Sequence, residues 1–364
     1  MSAQVTEFDY SLLGKNAKLA EEKGLASAEW YASPISRKRL KELMQRRNGP
    51  AIRDTLIWFA LLGLTGFLAY HFWGTWWCVP CFVAYGVLYG TASDSRWHEC
   101  GHRTAFRSTW MNDVVYEIAS FMVVRESTSW RWSHTRHHTD TIIVGRDPEI
   151  AVPRPPDLVG IALAFFILKS GPKELKRVAR HCFGSLTPDE KLYVPESEWP
   201  RIFLIARIWA LIYAGVIAWS IAIHSILPLM FVGLPSFYGA WLMVVFGLTQ
   251  HAGLAENVLD HRLNSRTIYM NPVFRFLYWN MNYHVEHHMF PMVPNYNLPA
   301  LHAELKADMP RPYRGLIETY REIIPALFRQ KKDRTYFVRR ELPPTAKTGA
   351  GDPGYAHARP AEPL

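Results

Sequence analysis

The chain has 364 residues, 49% hydrophobic and 14% aromatic, with a net charge of +9 and a mean hydropathy of −0.08. That length admits one large or two ordinary domains, and the near-neutral hydropathy excludes a protein built wholly of membrane spans. The positive charge suits anionic lipid or an acidic partner. No zinc-finger or RNA-recognition pattern supports nucleic acid, and four cysteines in a chain this long make no disulfide framework.

Residues 1–50 are polar, with a basic cluster at Arg37, Lys38, Arg39, Lys41, Arg46 and Arg47, and read as a cytoplasmic N-terminal segment. The first apolar run starts beyond residue 50, so no signal peptide is predicted. From Thr55 to Ser93, 39 residues pass without one Asp, Glu, Lys or Arg. A bilayer takes about 20 apolar residues per helix, so this stretch predicts a hairpin with spans near 55–73 and 76–92 and a turn near Phe72-Trp73-Gly74-Thr75. Cys78-Val-Pro-Cys81 has the spacing of a thioredoxin-like redox pair, but it lies inside the apolar run with no βαβ context, and no redox role is assigned. Further on, Leu158–Leu168 is too short to span and reads as an interfacial or re-entrant helix, followed by the basic segment Lys173–Arg180, which suits anionic headgroups or an acidic redox partner.

A second charge-free stretch of 48 residues, Ile208–Ala255, predicts a second hairpin with spans near 208–227 and 229–250, broken at Ser225–Pro228 and kinked at Pro235. The fold class expected is therefore an all-α membrane protein, four transmembrane helices as two hairpins under a cytoplasmic helical cap. Neither hairpin turn carries Lys or Arg, which puts both termini on the cytoplasmic side, with Arg53 and Arg207 at the cytoplasmic ends of spans. A helix capped at Asn297 and an amphipathic run over 315–328 follow. The catalytic domain is read as 51–341 and the Pro/Gly/Ala/Thr-rich tail 342–364 as disordered.

Eight of the fifteen histidines fall in three short windows: His98 and His102; His134, His137 and His138; His284, His287 and His288. Spacing of i, i+3 and i+4 puts imidazoles on one helix face, which is how helices present metal ligands. Eight exceed what one tetrahedral ion takes, so two ions are the economical reading. His251 joins them on position, ending the second charge-free stretch as His98 follows the first; His261 is a further candidate. Ligating imidazoles are oriented through their second ring nitrogen, and the carboxylates in or beside the windows are Asp94, Glu99, Asp140, Asp260 and Glu286. His71, His181, His224 and His302 are assigned no site. Spacing alone leaves zinc, copper, iron and nickel open.

Boxes of the form HxxxH, HxxHH and HxxHH, in this order around two hydrophobic hairpins, resemble the membrane fatty acid desaturase superfamily over roughly residues 50–330. The resemblance implies a di-iron centre that uses O2, with His98, His102, His134, His137, His138, His251, His284, His287 and His288 as ligands. In animal acyl-CoA desaturases an Asn precedes the residue matching His251 by four positions, where this chain has Gly247. No cytochrome-b5-like His-Pro-Gly-Gly motif is fused to the chain, which implies a separate electron donor of ferredoxin or Rieske type. The wording around box three, Glu256–Asp260 and Phe290–Pro294, is similar to a bacterial branch resembling the rhizopine-catabolism oxygenase and the dihydrorhizobitoxine desaturase, which implies a bacterial inner membrane.

Three functions arise as expectations. The first is a desaturase or hydroxylase acting on a C–H bond of an acyl lipid. The second is a same-fold oxygenase, O-demethylase or desaturase for a small polar metabolite. The third, without redox chemistry, is a membrane zinc hydrolase or receptor, for which nine clustered histidines are more than needed.

Overall fold

The first charge-free stretch folds as its length requires. In the computed structural model, which describes residues 8–26 and 28–347, helix α1 covers Asn48–His71, 24 residues. At 1.5 Å per residue that is about 36 Å, longer than the ~30 Å hydrocarbon core of a bilayer. Gly74 makes the turn at φ +85°, a conformation that costs glycine no Cβ clash. Helix α2 then runs over Cys78–Gly86, with Cys78 and Cys81 as free thiols. A π turn at Val87–Thr91 leads without a break into α3, Ala92–Gly101. The second arm of the hairpin thus delivers the first histidine pair directly.

Beyond it, α4 (Thr109–Met122) packs along α3 and α5 (Ser127–Thr139) carries the second histidine box. The short helix Leu158–Ala164 leads into α6, Ser170–Cys182. Part of the basic segment on α6 turns inward: Arg177 pairs with Glu174 at 3.0 Å, and Trp130 of α5 donates to the same carboxylate at 3.1 Å.

The second charge-free stretch behaves differently from the first. Its opening half is one 24-residue helix, α7 (Trp199–Ala222). The single helix expected over 229–250 is instead three pieces, Leu227–Phe231, Pro235–Tyr238 and α8, Trp241–His251. The first break falls at Gly233, φ +98°, just before Pro235, and the second at a close backbone approach. A Cβ on Gly239 would lie 1.9 Å from the Gly86 carbonyl oxygen, so only a glycine fits there. Thr91 Oγ1 fills the gap, donating to Gly239 O at 2.9 Å and accepting from Met243 N at 3.0 Å.

Box three lies on α9 (His284–Met289), and the amphipathic run is α10, Leu316–Lys332. Asn297 stands at the start of the helix Leu298–Leu305, but its side chain donates to Leu43 O at 2.7 Å instead of capping the helix. Among the described residues no strand forms, only two isolated bridges, Thr267–Tyr283 and Ile268–Tyr313. Two helices, within Arg37–His71 and Glu196–Ala222, are long and apolar enough to cross a membrane, and only 28% and 17% of their apolar windows are buried within the protein. Leu56, Leu64 and Phe67 on α1 and Leu204, Leu211 and Ile221 on α7 face outward, apolar surface that water would penalise.

The N-terminal segment is packed onto the catalytic unit. Tyr10 donates to Glu256 at 2.8 Å, Trp30 Nε1 to Thr139 O at 3.0 Å, and Tyr31 to Asp308 at 2.8 Å. At the other end Leu342 joins the cluster of Ala255, Val258 and Leu263, and Lys347 N donates to Asp308 at 2.7 Å. The chain expected to be disordered from 342 is therefore held to 347; residues 348–364 lie outside the described residues.

Candidate metal centre

Four helix ends converge on one point. α3 ends at Gly101, with His98 in its last turn and His102 just beyond. α5 is opened by Glu126, whose carboxylate accepts from the backbone of Thr128 and Ser129, and it closes on His134, His137 and His138. α8 ends on His251, and α9 begins on His284. Residues at i, i+3 and i+4 share a face, so each helix turns its imidazoles to the same interior.

The nine imidazoles form two groups. His98, His102, His134, His138 and His287 make the first; His137, His251 and His288 the second, with every ligand atom within 4.8 Å of the others in its group. His284 joins the second group, its Nε2 lying 3.0 Å from those of His251 and His288. In the first, Nε2 atoms succeed one another at 3.2 Å from His102 to His134, His138 and His287. His98 lies with its ring centre 4.3 Å from that of His134 and 4.5 Å from that of His287, and its buried Nε2 has no hydrogen-bond partner. Two nitrogens held about 2.1 Å from one ion at roughly 90–100° lie about 3.0–3.2 Å apart. The spacing and the orphaned nitrogen fit a metal ion in each group.

Electrostatics point the same way. Burial, with the neighbouring rings adding to it, holds His98, His102, His138, His251, His284, His287 and His288 well below the ordinary histidine range. Burial thus favours the neutral imidazole, the form a metal requires. Burial also lowers His137, but the Asp147 carboxylate at 2.8 Å outweighs it and the net shift is upward.

Four of the second ring nitrogens have their own partners, while Nδ1 of His98, His138, His284 and His287 is buried without one. His134 Nδ1 meets Glu149 at 3.0 Å and His137 Nδ1 meets Asp147 at 2.8 Å. His251 Nδ1 donates to the Asn264 carbonyl at 2.8 Å, and His288 Nδ1 faces Thr141 Oγ1 at 3.2 Å. Burial opposes ionisation of Glu149, yet His134 at its side takes the carboxyl down to about 2. Glu99 lies 3.5 Å from His287 Nδ1 and 3.8 Å from His98 Nδ1, and burial raises it to about 8.

Of the five carboxylates expected to support the imidazoles, Glu99 lies nearest them without a hydrogen bond to either ring, and the other four have different partners. Asp94 is taken by Arg125 at 2.5 Å, and Asp140 by Arg136 at 2.6 Å and Arg146 at 3.1 Å. Asp260 caps a short helix and binds Arg262 at 2.8 Å. Glu286 stands two residues from His284 and so points off the opposite side of α9, where it accepts from His302 and Thr267, each at 2.5 Å. His261 stacks on Trp30 with ring centres 4.2 Å apart and lies 5.1 Å from the His288 ring, outside both groups; burial takes it down to about 3. A side chain at Gly247 would meet nothing within 4 Å, and nothing from that position reaches the imidazoles. Sequence reasoning missed Asp147, Glu149, Asn264 and Thr141. For the two acids a signal existed in Gly145-Arg-Asp-Pro-Glu149, a tight turn placed just after box two.

The family model described as fatty acid desaturase matches residues 74–320, more than half of the chain. A Delta(12)-acyl-lipid-desaturase of Punica granatum is 34% identical over 92 residues, 25% of this chain and 22% of the relative. An sn-1 acyl-lipid omega-3 desaturase (ferredoxin) of Nostoc is 23% identical over 222 residues, 55% of this chain and 60% of the relative. An sn-1 oleoyl-lipid 12-desaturase of Picosynechococcus is 26% identical over 245 residues, 58% of this chain and 64% of the relative. The match thus spans less than two thirds of each of these three relatives. On the family match and the histidine geometry together, this chain belongs to the fatty acid desaturase family.

Proposed function

We propose that this protein is a membrane-bound, O2-dependent oxidoreductase of the desaturase type, holding two iron ions and desaturating or hydroxylating a C–H bond of an acyl lipid. The observation that carries the reading is the pair of imidazole groups at metal-ligand spacing. Iron held there supplies the oxidising power that no side chain has for an unactivated C–H bond. The protein's part is geometry and dryness. Glu149, Asp147 and the Asn264 carbonyl orient rings, and His98, His134, His137, His284, His287 and His288 are each 7% exposed or less, which limits water at the reacting atoms. The names of the relatives support an acyl-lipid substrate, and that of the Nostoc protein supports a separate ferredoxin-type donor. Four spans, with both termini and the centre on the cytoplasmic side of a bacterial inner membrane, agree with the charge-free hairpins and the basic flanks.

Anaerobic purification with iron quantitation tests the reading, together with reduction and O2 consumption in the presence of acyl lipids. About two iron per chain and lipid-dependent O2 uptake are expected. About two zinc and no iron in active protein would defeat it, in favour of a hydrolase or receptor. One observation favours a small polar metabolite as the substrate instead of a lipid: a polar cavity adjoins the first imidazole group.

A further inference from the structure

That cavity has a volume of about 330 Å³ and lies between the start of α5, α4 and the start of α7. A cleft of about 10 Å³, room for roughly one water, shares Tyr116, Arg131 and Thr135 with it and reaches His98, His102 and His134. The way from the cavity to the imidazoles therefore passes Arg131.

Arg131 is under-coordinated for a guanidinium. Its ion pair with Asp113 is one contact at 3.5 Å, the far edge of a hydrogen bond, and its Nε has no hydrogen-bond partner. Its guanidinium instead lies 4.3 Å from the centre of the Tyr116 ring. The other two arginines of the cavity are committed: Arg103 to Asp113 at 3.0 and 3.3 Å, and Arg201 to Glu117 at 2.9 Å. Two more polar atoms along the passage lack a partner, Oγ of Ser127, which is 1% exposed, and Nε1 of Trp97 in the inner cleft. All three can donate, and what they lack is an acceptor. Arg103 is spent on Asp113 and Arg201 on Glu117, so Arg131 is the arginine of the cavity with a donor to spare. The open planar fork of Arg131 matches one carboxylate.

We propose that this passage binds a carboxylate of the substrate through Arg131, so that the substrate is an acid. The proposal rests on the oxidoreductase reading above and puts a free acid in place of its esterified acyl lipid. The acid is either an amphiphile from the bilayer or a small soluble one. The two present the same group to Arg131 and differ in the length of the apolar chain attached to it.

Calorimetric titration of the full-length, iron-loaded protein in neutral detergent tests this, with dodecanoate, butanoate and dodecanol as probes. Dodecanoate binding with dodecanol silent supports a bilayer source; butanoate binding as tightly as dodecanoate supports a soluble one. Arg131→Gln is expected to weaken acid binding at least about tenfold, the worth of a charge-assisted bond, with iron content unchanged. Should that variant not fold, Glu198→Gln decides. It removes a negative charge from the cavity wall and is expected to tighten acid binding about two- to threefold. Dodecanol binding as well as dodecanoate, no binding by either acid, or unchanged affinity in the folded variants overturns the proposal. Acid bound through Arg131 in a protein that shows no iron-dependent O2 uptake would sink the oxidoreductase reading and leave the subsite standing.

Discussion

The two imidazole groups lie side by side yet are supported differently. In the five-membered group His134 leans on Glu149, and His98 and His287 face Glu99. In the four-membered group His137 has Asp147, but His251 leans on a peptide carbonyl and His288 on a hydroxyl. Carboxylates behind imidazoles raise ligand basicity and offset ionic charge; neutral acceptors orient the ring without doing either. Each group has one hydrogen-bonded carboxylate, Glu149 or Asp147, so it is the fifth imidazole by which the larger group should hold its ion more tightly. It is also the group that the polar passage reaches, through His98, His102 and His134.

The largest effect expected is from removing an imidazole at the centre of the first group. His287 Nε2 lies 3.2 Å from that of His138, and its ring is fully buried. His287→Ala should lose iron-dependent turnover entirely and about one of two irons, read by metal analysis and O2 consumption. His251→Ala, in the less supported group, should empty that group and leave the other filled. An active His287→Ala protein, or loss of both ions in His251→Ala with the fold intact, would break the comparison.

Changing the supports sharpens it. Glu149→Gln keeps the shape and removes the charge behind His134, and should cost about 10–100-fold in metal affinity, the usual range for such partners. Thr141→Val removes two neutral contacts, to His288 at 3.2 Å and to the His137 carbonyl at 2.7 Å, and should cost less, about two- to fivefold. Competition with a chelator, read as residual iron, measures both. Equal losses would mean that a charged support is worth no more here than a neutral one.

The nine imidazoles could be read from the sequence; their division into two groups and their supports could not. Imidazoles at i, i+3 and i+4 must share a helix face, so the boxes were visible without coordinates. His251 was visible too, because the end of an apolar stretch fixes its depth. The supporting acids depend on tertiary placement. After α5 the chain reverses through Ile142 and Gly145, both at positive φ, and this folds Asp147 and Glu149 back against the helix that precedes them. A Cβ at Gly145 would come within 2.6 Å of Ala17 N, so the packed N-terminal segment takes part in the turn. Asp94 and Asp140 stand nearer in sequence, but arginines reach them first. The broken fourth apolar helix has a similar origin: Gly239 meets Gly86 across 153 positions of chain, which local hydrophobicity cannot report.

The smallest effect should come from outside the centre and treat both groups alike, because α5 feeds both. Glu190 accepts from Ser129 of α5 at 2.6 Å and from His181 of α6 at 3.0 Å, with Arg177 at 3.6 Å. Burial alone would raise its carboxyl, but His181 and Arg177 take it down to about 2 from an ordinary value of 4.5. The folded state then binds this proton less readily than the unfolded chain. The stabilisation is complete above about pH 4.5 and is lost as the pH falls toward 2. Glu190→Gln should therefore lower the melting midpoint by several degrees at pH 7, for a loss of about 2 kcal/mol. The difference from the unmodified protein should shrink as the pH is taken below about 4.5. Iron should fall from the two groups in parallel, if at all. A selective loss from either group would mean that α5 is not the rigid bar on which both are mounted.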